Sequence, residues 1–196
     1  MEKKGLSSFF EEFLNRESLF TDRSVLLSSF TPENIPYRDK EINQIANILA
    51  PILKQEKPSN VFIYGNTGTG KTLTVKHIID NILDTANNKK IPVKILYVNC
   101  KLKKVADTEY RLITQLSSFF GKTIPPTGLP TDEVYRIFYD SVEKEKCVVL
   151  IVLDEIDQLI KRAGDDVLYN LTRINEDFKY SKISIVGISN NITSIE

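Results

Sequence analysis

One stretch of this 196-residue chain has the residue types and the spacing to hold phosphate. Gly65-Asn66-Thr67-Gly68-Thr69-Gly70-Lys71-Thr72 follows the order G-x-x-x-x-G-K-[ST]. Each residue type has a chemical reason. Glycines let the backbone curl so that successive N–H groups point inward at phosphate oxygens. A helix opening at Lys71 would add the positive end of its dipole. The Lys71 ammonium is a mobile cation for the β- and γ-phosphates of ATP, and the Thr72 hydroxyl is a direct ligand for Mg²⁺. A glycine-rich turn before a helix can match such a pattern without binding anything. Here an apolar run precedes the loop and an amphipathic one follows it, which is the context the chemistry requires.

A second group lies downstream. Cys147–Leu153 is an unbroken apolar run that stops at Asp154-Glu155. A buried strand ending on two carboxylates puts them at the carboxyl edge of a sheet, where ligands of open α/β sheets bind. Asp154 is expected to hold Mg²⁺ through water, and Glu155 to orient or deprotonate an attacking water. The run Ile183–Ile188 ends in Ser189-Asn190-Asn191, and an amide at that tip could reach the γ-phosphate, although asparagine also favours turns for its own reasons. Arg162 and Arg173 could serve a neighbouring subunit's phosphate, but read more simply as solvated helix charges. His77 reads as a surface or packing residue.

These groups need a frame, and the hydrophobic spacing supplies one. Val61–Tyr64, Val93–Val98, Val148–Leu153 and Ile183–Ile188 read as strands. Helices are expected near Asp39–Leu53, with Pro51 kinking the helix or shifting its end, and over Thr72–Leu83, Thr108–Phe120, Asp132–Lys144, Gln158–Arg162 and Asp166–Asn175. Ser8-Phe9-Phe10-Glu11 has the form of a capping box opening a short helix. Gly121–Pro130, with three prolines and two glycines, must be a loop. Alternating strands and helices predict an α/β fold with a parallel sheet covered on both faces. Val148–Leu153 has no apolar–polar alternation, as expected of a strand buried on both sides. The division expected is a helical extension over residues 1–29 followed by the nucleotide-binding domain over 30–196.

Composition narrows the class. The 26 Lys+Arg balance the 26 Asp+Glu, so net charge offers no argument for DNA or for an acidic membrane surface. Cys100 and Cys147 are the two cysteines and border apolar runs, which predicts buried free thiols and a reducing, cytoplasmic setting. Met1–Phe10 has no signal-peptide core, and no stretch is long and apolar enough for a membrane span.

Taken together, these pieces resemble an AAA+ ATPase, one of the P-loop NTPases. Ile151-Val-Leu-Asp-Glu-Ile-Asp157 resembles that family's Walker B motif, and Gly187-Ile-Ser-Asn190 its sensor 1 segment. The chain is more specifically similar to archaeal Orc/Cdc-type replication initiators through Phe30-Thr-Pro-Glu-Asn-Ile-Pro-Tyr-Arg38, Ile45-Ala-Asn-Ile-Leu-Ala-Pro51, Lys57-Pro-Ser-Asn-Val-Phe-Ile-Tyr-Gly65 and Leu168-Tyr-Asn-Leu-Thr-Arg-Ile-Asn175. This resemblance implies that Pro36, Tyr37 and Arg38 lie near the adenine, that Lys71 and Thr72 bind phosphate and Mg²⁺, that Asp154 and Glu155 are the Walker B pair, and that Asn190 is sensor 1. It implies origin DNA, a replicative MCM-type helicase and other initiator subunits as partners, no membrane, and a cytoplasmic, nucleoid-associated location. It also puts the segment Thr108–Leu116 where such initiators carry a helical insertion that touches DNA.

In such proteins a further strand beside the phosphate-loop strand, an arginine finger, a lid with sensor 2 and a winged helix follow sensor 1. The chain ends at Glu196, and the expectation is a portion of a longer initiator that binds ATP or ADP, hydrolyses slowly and holds DNA weakly. Two other readings stay open at this point. One is a different AAA+ protein, clamp-loader-like or a signalling or plasmid-partner NTPase. The other is an interaction module that keeps nucleotide for stability.

Overall fold

A computed structural model describes residues 6–16, 20, 22–23, 25, 27, 32, 34–102, 106, 108–173, 175 and 178–191. The chain divides into two units, Met1–Pro32 and Glu33–Glu196. In the first, helix α1 runs Leu6–Leu14 and leaves Phe9, Phe10 and Phe13 exposed. Ser8 therefore lies inside the helix rather than at its cap, because the helix already includes Leu6 and Ser7. In the entry segment, Phe30, Thr31 and Glu33 fall outside the described residues.

The second unit is built on a four-stranded parallel sheet of order β1-β4-β3-β2. Its strands are β1 Val61–Tyr64, β2 Val93–Asn99, β3 Val148–Asp154 and β4 Lys182–Ser189. The order follows from β3. Val148–Asp154 is buried at every position, and successive side chains of a strand point to opposite faces. Val149, Ile151 and Leu153 pack with Leu112, Phe138, Leu159 and Leu171 on one face. Val148, Leu150 and Val152 pack with Leu49, Val75 and Ile79 on the other. A strand that is apolar on both faces belongs mid-sheet, and β3 lies between β4 and β2.

Two helices cover the second face: α2 Asp39–Leu49 and α3 Lys71–Lys89. Pro51 shifts the helix end as expected, since α2 stops at Leu49 and continues as a 3-10 turn over Ala50–Lys54. The α3 helix outruns its predicted end at Leu83. Ala86 is still buried, and the helix closes only at Lys90, in the left-handed conformation. The first face is covered by α4 Glu109–Ser118, α5 Thr131–Glu145, α6 Ile156–Ala163 and α7 Asp166–Arg173. The Thr108 hydroxyl caps α4 by accepting the Arg111 N–H at 3.3 Å. The α7 helix ends two residues before the predicted Asn175, because the Asn175 side chain pairs with both backbone groups of Ile183 instead.

The parallel arrangement brings the carboxyl ends of β1, β3 and β4 together. Tyr64 pairs with Ser189, and Asp154 with Ile188. The phosphate loop after β1, the Asp154-Glu155 pair after β3 and Asn190 after β4 therefore start from one edge.

Candidate functional site: a phosphate cradle at the sheet edge

The loop Gly65–Gly70 connects β1 to α3 without regular structure. Gly68 and Gly70 take φ of 81° and 82°, the left-handed region where a side chain is strained. No atom lies within 4 Å of where a Cβ would stand at either position. Glycine is needed there for backbone shape. Gly70 then opens a 19-residue helix whose first N–H groups have no partner within the helix, a ready site for an anion.

Lys71 is held at the centre. Its ammonium donates to the carbonyls of Gly65 and Asn66, both at 2.8 Å, and to the Asn190 side-chain oxygen at 2.9 Å. Asn190, reached across 119 residues of sequence, is thus brought to the loop by the end of β4. Thr69 and Asn66 close the loop tip through a hydroxyl–carbonyl bond of 2.9 Å.

Beside it lies the carboxylate. Asp154 is 3% exposed, and a buried carboxylate is costly unless hydrogen-bonded. It accepts from the Thr72 hydroxyl at 3.1 and 3.2 Å to its two oxygens, from the Glu155 N–H at 2.9 Å, and from the Tyr97 hydroxyl. Thr72 and Asp154 together make a pair of hard oxygen donors. No group of three or more His, Cys, Asp or Glu that could hold a metal ion occurs among the described residues. That donor set fits Mg²⁺, which takes one or two protein oxygens and fills its remaining positions with water and phosphate oxygens.

Glu155 occupies a left-handed conformation, with φ of 53°, as the residue capping α6. Such a conformation is uncommon outside glycine. Its carboxylate pairs with Lys101 at 3.4 Å. Pro36 and Tyr37 form an exposed turn before α2, Tyr37 with φ of 62°. Arg38 bridges from that turn to the loop, donating to the Thr69 carbonyl and pairing with Glu41 at 3.3 Å.

Other candidates lie elsewhere. Arg162 donates to the Cys100 carbonyl at 3.3 Å, and Arg173 bonds Tyr169. His77 lines the cleft between α2 and α3 with Ile42 and Ala46. Cys100 and Cys147 are free and buried, and burial, reinforced by Asp154, pushes the Cys100 thiol up to about 12. Sequence reasoning missed Tyr97 and Lys101. A tyrosine inside the apolar run Val93–Val98 was the available signal, since a buried hydroxyl needs a partner.

The comparisons with known proteins supply the family. Residues 54–189 match the AAA domain family, and the chain belongs to it. Within that class, it is 44% identical over 196 residues to the ORC1-type DNA replication protein of Thermococcus kodakarensis, covering 98% of this chain and 46% of the relative. It is 42% identical over 193 residues to ORC1-type DNA replication protein 1 of Methanosarcina mazei, with the same coverage. Among solved structures, that of the Aeropyrum pernix ORC1 protein in complex with DNA superposes with a TM-score of 0.81 at 38% identity, over 90% of this chain and 44% of that one. The resemblance to Orc-type initiators is thus borne out by curated relatives that carry that name. The chain spans about half the length of those relatives. No described helix is long and apolar enough to cross a membrane.

Proposed function

We propose that this chain is the ATP- and Mg²⁺-binding part of a replication initiator that works at origin DNA and helps load the replicative helicase. The observation that carries the nucleotide reading is the convergence of Lys71, Thr72, Asp154 and Asn190 from α3, β3 and the end of β4 onto one loop. The initiator reading rests on the ORC1-type relatives, and the DNA partner on the A. pernix ORC1 protein solved with DNA. The MCM-type helicase and other initiator subunits as partners, and a cytoplasmic, nucleoid-associated setting, follow from the same kinship.

In this reading the loop amides and Lys71 bind the phosphates, and Thr72 and Asp154 hold the Mg²⁺ that offsets their charge. Asn190 leaves the Lys71 ammonium for the γ-phosphate, so the tip of β4 reports whether ATP or ADP is bound. Glu155 takes the proton of the attacking water, and hydrolysis by this polypeptide is slow. Pro36, Tyr37 and Arg38 flank the adenine, and Arg38 links that flank to the loop through Thr69. Residues 1–29 form an extension to the ATPase domain.

The test is a thermal melt with and without Mg²⁺–ATP. A ligand held ~100-fold above its Kd stabilises by about 2.7 kcal/mol, which for a chain of this size raises Tm by about 5–10 °C. Lys71→Ala should abolish the rise, while Glu155→Gln should keep it and stop phosphate release. An unchanged melting temperature of the unmodified chain at saturating Mg²⁺–ATP would remove the nucleotide reading altogether.

A further inference from the structure

We propose that Tyr97 is a positioning residue for the Mg²⁺-side carboxylate. It would lock the Asp154 rotamer so that the cation meets a preset oxygen. The proposal rests on the reading of Asp154 as the Mg²⁺ carboxylate.

Register is the starting point. Asn99 pairs with Asp154 and Tyr97 with Val152 across the β2–β3 ladder, which puts Tyr97 two residues back from the carboxylate on the neighbouring strand. A tyrosine side chain spans that offset, and its hydroxyl donates to Asp154 Oδ2. Thr72 donates from the α3 side, and the Glu155 N–H donates to Oδ1 from the chain itself. The carboxylate is therefore gripped from three separate elements. Thr72 is itself part of the cation-facing pair and must turn toward the ion when it binds. Tyr97 has no such second duty and can hold Asp154 throughout.

The tyrosine is itself held. The Lys76 ammonium lies 5.2 Å from the centre of its ring, a cation–π contact that limits ring motion. Lys76 follows Thr72 by four residues on α3, so both project from one helix face toward the same site. Groups that orient a metal ligand through a hydrogen bond typically change metal affinity by about 10–100-fold when removed.

The experiment uses the 196-residue chain and a fluorescent ATP analogue, titrated first in EDTA and then with Mg²⁺. Tyr97→Phe keeps the ring and deletes only the hydroxyl. The expected result is a Mg²⁺ midpoint raised about tenfold, with the affinity in EDTA unchanged. A general packing defect would instead weaken both. Lys76→Met, which frees the ring but leaves the hydroxyl, should move the midpoint the same way by less, and it serves if Tyr97→Phe does not fold. A Mg²⁺ midpoint within twofold of the unmodified chain in the variants that fold overturns the proposal. Asp154→Asn is measured alongside. If Asp154→Asn leaves the midpoint unmoved, the reading of the site falls; if it moves the midpoint and the other variants do not, only the role of Tyr97 falls.

Discussion

Glu155 shows how much a single residue can be asked to do. It sits in a left-handed backbone conformation, with φ of 53°, at the junction of β3 and α6. A side chain there costs on the order of 1 kcal/mol or more relative to glycine. The Lys101 partner offsets little of this, because the lysine is two-thirds exposed and such pairs contribute weakly. Glu155→Gly should therefore stabilise the fold by about 1 kcal/mol, read as a higher midpoint in urea, while eliminating phosphate release. Equal or lower stability would mean that the conformation is not strained. The carboxylate pair was legible in the sequence because an apolar strand that stops on two acids is a local pattern. The left-handed backbone at Glu155 was not, since nothing in Leu153–Ile156 marks such a residue where glycine would have. Tyr97 escaped for a different reason. Its role depends on the register of β2 against β3, which only the folded sheet fixes.

At the level of elements, β4 is held by more than its neighbours. Just before it, the Glu143 carboxylate of α5 accepts the N–H groups of Lys179, Tyr180 and Ser181 at 3.1, 2.9 and 3.0 Å. Loss of solvent opposes ionisation of Glu143, but these three amides outweigh it and hold the carboxyl below its ordinary range. A depressed folded pKa gives stability that is present above the unfolded carboxyl range, near pH ~4.3. That stability is lost as the pH falls through the folded value. Glu143→Gln should thus destabilise the chain at neutral pH, and the difference from the unmodified protein should shrink in acid. Denaturant midpoints measured from pH 7 down to pH 3 would show this, and a gap that stays constant with pH would contradict it. Strand and helix identities were readable from hydrophobic spacing. Helix ends were less so, as at α3 and α7, because the signals that close them are a left-handed Lys90 and a side-chain amide that prefers a strand.

For the domain as a whole, the sheet is asymmetric. One edge, β2, meets β3 along its whole length, from Val93 to Asn99. The other edge is β1, four residues paired to β4 on one side. Its outward side lies with α2 along a groove of about 630 Å³ lined by Gln44, Ile45, Ile48, Phe62 and Tyr64. Phe62 and Tyr64 stack with their ring centres 6.1 Å apart and are 37% and 56% exposed. An apolar strand edge of this kind is a template for pairing with other chains. The 196-residue chain should therefore self-associate with rising concentration in sedimentation velocity. Tyr64→Lys should suppress that, since charge on an edge strand is a barrier to edge-to-edge pairing. Association unaltered by the substitution would place the contact elsewhere. The strand itself was legible from its apolar run, whereas the groove beside it depends on how α2 lies and could not be read from spacing.

The Asn175 side chain that pairs with Ile183 does more than end α7. Beyond the four residues that β1 pairs, the outer edge of β4 is finished by side chains: Asn60 accepts the Ile185 N–H at 3.0 Å, and Asn175 both donates to and accepts from Ile183. Together they act as a ruler. A parallel strand can slide by whole residues only if every such contact lets go, and a one-residue slip would carry Ser189 or Asn191 to the place where Asn190 meets Lys71. The calibration of the phosphate end is therefore kept at the opposite end, seven residues or about 23 Å away along the strand. Residues that never approach a nucleotide decide which amide it would meet.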